Sequence, residues 1–70
     1  MKRHEYVGYN IKAAMVKRGI TPAEMADRME ICLVTWYRRM RRPEELSLRE
    51  LDLAAAALKI PVEELLKKGA

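Results

Sequence analysis

Seventy residues with no linker or low-complexity tract make one domain spanning 1–70, with a core over about 5–68 and no room for a second unit. Half the residues are hydrophobic and Ala, Leu, Met, Glu, Lys and Arg dominate, a helix-forming composition in a chain that buries only about 60% of its unfolded surface. Net charge is +4, and the absence of any apolar run near the ~18 residues a membrane span needs excludes a transmembrane helix.

The first predicted helix runs from about Glu5 to Arg18. Val7, Ile11, Ala14 and Met15 follow one buried stripe, with Arg18 at its wet end. Gly19 ends it, as a left-handed C′ glycine does. Thr21 then caps a second helix of about eight residues. Pro22 suits its first position, and Glu24, three after the cap, closes a capping box. Ile20 and Met25 can form a hydrophobic staple across that start.

Glu30, Ile31 and Cys32 make a tight connection to a third helix, from Leu33 to Met40 or Arg41. Pro43 stops it, because the residue before a proline is disfavoured in helix. Residues Pro43 to Leu46 are expected as a loop. The start signature recurs with Ser47 as cap, Glu50 closing the box and Leu46 with Leu51 as staple. A fourth helix follows from Leu48 to about Leu58, with Leu51, Ala54, Ala55 and Leu58 inward. A last short helix begins around Pro61, with Val62, Leu65 and Leu66 apolar, and ends at Gly69. The predicted fold is all-α, a compact bundle of five short helices with a central helix-turn-helix.

The segment from Thr21 to Arg42 carries the functional signal. Two short helices joined by three or four residues cross steeply, and the second stands proud of the domain. On a helical wheel of the third helix, Trp36 and Met40 share one face. Val34, Arg38, Arg41 and Arg42 lie opposite, flanked by Tyr37 and Thr35. Arg38, Arg39, Arg41 and Arg42 place four cations within five residues, while acidic residues lie elsewhere, at Glu24, Asp27, Glu44, Glu45, Glu63 and Glu64. Such clustering is the electrostatic footprint of phosphate binding.

From about Ile11 to Leu66, roughly four-fifths of its length, the chain resembles the helix-turn-helix domains of phage repressors and Cro proteins, the lambda-repressor-like or XRE class. The resemblance is carried by GITPAEMADRMEI, TWYRRMRRPEELSLREL and AAAALKIPVEELL, with Ala26 at the family's central alanine. It implies operator DNA binding through helix three in a major groove about 12 Å wide, usually as a homodimer on two half-sites about 34 Å apart. The implied groove-facing residues are Cys32, Leu33, Val34, Tyr37 and Arg38, with Thr35 beside them. The wheel, however, leaves Leu33 on the core side. Arg38 suits guanine O6 and N7, and Val34 and Leu33 can only meet thymine methyls. Backbone amides near Thr21 and Pro22 are expected to meet phosphates, as are Arg41 and Arg42.

Four departures from the family stand out. Glu30 replaces the turn glycine and is strained by roughly 1 kcal/mol or more if its backbone is left-handed. Cys32 replaces a serine or threonine cap. Met15 and Met40 replace a frequent arginine–glutamate pair, so an apolar contact between them is expected. The outward face also lacks the amides that read adenine.

Other residues read as structural. His4 is expected in a frayed N-terminus, and Cys32 as a partly buried small residue without partners for zinc. Trp36 reads as core, Ser47 as a cap, and short helices are expected to offer little concave volume for an enzyme. No cofactor, metal or small-molecule substrate is expected. A lone cysteine and a polar start without a signal segment suit a reducing, cytoplasmic setting. A second reading stays open: a protein-interaction module docking through Leu33, Val34 and Tyr37.

Overall fold

The computed structural model describes residues 2–68, apart from the side chain of Arg3. Its elements are α1 (Arg3–Arg18), α2 (Pro22–Arg28), α3 (Leu33–Arg41), a 3₁₀ turn (Pro43–Glu45), α4 (Leu48–Leu58) and α5 (Val62–Leu66), with no strand among the described residues. The chain is an all-helical bundle of five helices, with α2 and α3 joined by the short turn over residues 29–32.

Local chemistry starts the two helices where capping boxes were expected. The Thr21 hydroxyl accepts from the Glu24 N–H at 3.2 Å, and the Glu24 carboxylate accepts from the Thr21 N–H at 2.9 Å. Ser47 and Glu50 repeat the exchange at 3.0 Å in both directions. Each box satisfies two of the amides a helix start leaves without partners. Gly19, at φ +66°, closes α1, and the Ile20 N–H reaches back to the Met15 carbonyl at 3.0 Å.

The core gathers Val7, Ile11 and Met15 from α1, Met25 and Met29 around α2, Trp36 and Met40 from α3, and Leu58 and Leu65 from the closing helices. Ile20, Leu46 and Leu51, the staple residues, pack partly buried against it. α1 is the central support, packing against α3, α4, α5 and the 3₁₀ turn. Gly8 makes that last approach possible: a Cβ there would stand 2.9 Å from the Pro43 ring.

Several boundaries and placements differ from expectation. α1 starts two residues early, with the Lys2 N–H bonded to the Glu5 carboxylate at 2.6 Å. His4 therefore sits in the first helical turn, not in a frayed end, and its Nε2 lies 3.9 Å from the Glu44 carboxylate. The expected loop after α3 contains a 3₁₀ turn, since proline suits its first position and Leu46 N–H bonds back to Pro43. α5 ends at Leu66, short of the expected Gly69, which lies outside the described residues. Asn10, a buried α1 side chain, meets the chain at this end. Its amide donates to the Leu65 carbonyl at 3.0 Å and the Lys67 carbonyl at 2.7 Å, with a longer contact to Glu64 at 3.3 Å. Those bonds take up carbonyls that a helix end would otherwise leave unpaired.

Candidate nucleic-acid interface

α3 is amphipathic in the sense the wheel required. Trp36 and Met40 are 3% and 6% exposed, whereas Val34 is 67% and Tyr37 47% exposed. Arg38 and Arg41 are exposed on the same outward side, and among the described residues neither takes part in an ion pair. Leu33 is 40% exposed, so the first turn of the helix does reach outward where the wheel had turned it toward the core. Thr35 is half-buried.

The four-arginine cluster divides in two. The Arg39 Nε donates to the Glu50 carboxylate at 3.1 Å, and its Nη1 lies 3.6 Å from Glu45. This side chain is committed to fastening α3 to α4 and the 3₁₀ turn. Arg42 lies 3.8 Å from Glu45 with most of its side chain in solvent. Of the acidic residues expected elsewhere, Glu45 therefore lies beside the cluster instead. The 3₁₀ turn folds Glu45 back beside the end of α3, which leaves Arg38 and Arg41 as the cations of the outward face.

Glu50 shows how firmly this joint is set. Burial pushes its carboxyl up, but the Ser47 N–H and the Arg39 guanidinium outweigh burial and hold it below its ordinary value near 4.5. At the start of α2, Thr21 is exposed, but its amide and that of Glu24 are both taken up by the capping box, and Pro22 has no N–H. The Thr21 N–H also holds the Glu24 carboxyl below its ordinary value. That helix end thus carries an anion of its own.

Glu30 adopts φ +63°, the left-handed conformation that its place in the turn demanded of a glycine. Its carboxylate is paired with the Arg49 guanidinium, which ties the turn to the start of α4. Cys32 caps α3 with an extended backbone but forms no side-chain cap bond. It is exposed, not partly buried, because it sits on the protruding turn. Its thiol lies 3.1 Å from the Thr35 hydroxyl, and that contact draws the thiol below its ordinary value of 9.0. Among the described residues no group of three or more potential metal ligands assembles.

Two features escaped the sequence reading. Met15 and Met40, both buried, line a cleft of about 360 Å³ between α1 and α3, so helices this short do enclose a concave surface. The Trp36 indole lines the same cleft, edge-on to the Tyr37 ring at 5.1 Å between centroids, and its buried Nε1 finds no acceptor among the described residues. An unpaired buried donor of this kind costs about 1–3 kcal/mol. No periodicity signals it, since a wheel places a side chain on a face without showing its polar partner.

No family model, curated protein or solved structure matches the chain. No described helix is long and apolar enough to cross a membrane.

Proposed function

We propose that this protein is a DNA-binding transcriptional regulator of the phage repressor or Cro type. It occupies an operator by laying α3 in the major groove and works in the cytoplasm as a homodimer on two half-sites. The observation that carries the reading is the exposed side of α3: Val34, Tyr37, Arg38 and Arg41 stand outward while Trp36 and Met40 anchor the helix. Arg38 reads bases, and Arg41 neutralises phosphate. Arg42 contributes less, because Glu45 already offsets part of its charge. The α2 start contributes little, because Glu24 stands where a phosphate would approach.

The two arginines predict different mutant behaviour. Arg41→Ala weakens binding to every duplex alike and lowers the slope of log affinity against log salt by about one. Arg38→Ala costs about 1–3 kcal/mol on the preferred site and flattens the preference recovered by random-site selection. A salt slope that Arg41→Ala leaves unchanged would remove the phosphate role.

A protein-docking function is the second reading, favoured by the exposure of Leu33, Val34 and Tyr37. It predicts duplex binding that is absent, or flat between two salt concentrations, where the regulator reading requires a steep fall.

A further inference from the structure

The cleft between α1 and α3 has the composition of a ligand site. Met15, Ile20, Trp36 and Met40 supply its apolar wall, and its volume of about 360 Å³ lies within the roughly 300–1,000 Å³ typical of small-molecule pockets. Lys12 and Arg41 stand at its mouth, both exposed, and among the described residues neither is in an ion pair. Val16 lies on the rim at 84% exposure. Inside, the Trp36 ring is 97% buried and forms part of the cleft lining. An apolar trough and two unpaired cations at its mouth together ask for an apolar body that ends in an anion.

We propose that this cleft binds an amphipathic organic anion, an aliphatic chain ending in a carboxylate, and that its occupancy weakens the hold of α3 on duplex DNA. The chain lies against Met15, Ile20 and Met40. The carboxylate sits between Lys12 and Arg41, whose exposed cationic ends supply its charge-assisted hydrogen bonds. Tyr37, half-exposed, flanks it on the α3 side. The link to DNA rests on the proposed function: Tyr37 and Arg41 belong both to the cleft and to the outward face of α3, and a guanidinium engaged by a carboxylate is lost to phosphate.

Trp36 is the only tryptophan of the chain, so its fluorescence reports on the cleft without any DNA present. Octanoate is the probe, with uncharged 1-octanol as its partner. The expected result is a saturable change in Trp36 emission, with octanoate binding about tenfold more tightly than octanol, as one charge-assisted contact provides. Lys12→Ala narrows that preference, because Arg41 alone then faces the carboxylate. Val16→Glu, at an exposed rim position that leaves the core intact, sets an anion at the mouth and weakens octanoate about tenfold while sparing octanol. No saturable change, or equal affinity for the two probes, overturns the site. With a bound duplex, octanoate at about nine times its dissociation constant lowers apparent DNA affinity about tenfold by mass action. Unchanged DNA affinity at saturating octanoate overturns the coupling. If the protein binds no duplex at all, the regulator reading and the coupling fall together, and the fluorescence titration still decides the site.

Discussion

Asn10 illustrates what one polar residue does inside an apolar stripe. It falls between Val7 and Ile11 on the buried side of α1, where a desolvated amide is costly unless bonded, and it repays this by holding the carbonyls at the end of α5. Asn10→Ala leaves those carbonyls unpaired and is expected to cost about 2 kcal/mol, read as a lower urea midpoint. Lys59 tests the opposite case. It closes α4 at φ +57°, a conformation that costs a side chain roughly 1–2 kcal/mol and a glycine nothing. Lys59→Gly is expected to raise stability by about 1 kcal/mol in the same assay, the remainder being lost to the greater freedom of glycine in the unfolded chain. Glu30 shares this left-handed geometry, but its pairing with Arg49 makes it the less clear test.

At the scale of elements, the joint between α3 and α4 governs how the outward helix is presented. Arg39 and Glu50 meet across it, and Glu50 also caps α4 through the Ser47 N–H. Because the folded carboxyl titrates below its unfolded value, this joint contributes stability above the ordinary value near 4.5 and loses it as pH falls through the lowered one. Glu50→Gln is expected to be less stable by about 1 kcal/mol at neutral pH, with the gap to the parent closing as the solution is acidified below pH 4.5. A gap of constant size from pH 7 to pH 3 would mean that the Glu50 charge does not fasten the joint. The junction of α1 with α3 has a different chemistry. Met15 from α1 and Met40 from α3 are both buried and both line the cleft, at positions where the resembling family often places an arginine and a glutamate. Met40→Glu alone sets a carboxylate against sulfur and methylene and is expected to cost about 2–4 kcal/mol in thermal unfolding. Adding Met15→Arg should recover much of that loss. An unchanged melting temperature for the single variant would show that the two methionines do not pack together.

For the molecule as a whole, the helices and their order were legible in the sequence. α3 and α4 occupy the expected ranges, Leu33–Arg41 and Leu48–Leu58. Their limits are local matters: a cap, a box three residues on, a proline or a left-handed closing residue. Each is written within four or five neighbours of the place it acts. The outward face of α3 was legible for the same reason, since a helix of known period with Trp36 and Met40 inward must turn Val34, Arg38 and Arg41 out. What the sequence could not determine is which charged and polar groups meet across elements. Arg39 with Glu50, Arg49 with Glu30 and Asn10 with the end of α5 are separated by 11 to 57 positions in the chain. Composition counts these side chains as charge or polarity without pairing them, and only the packing of α1, α3, α4 and the 3₁₀ turn decides the partners. The cleft beside Trp36 belongs to the same class. It is the space left between two helices whose faces were each predictable, and its existence depends on how closely they approach.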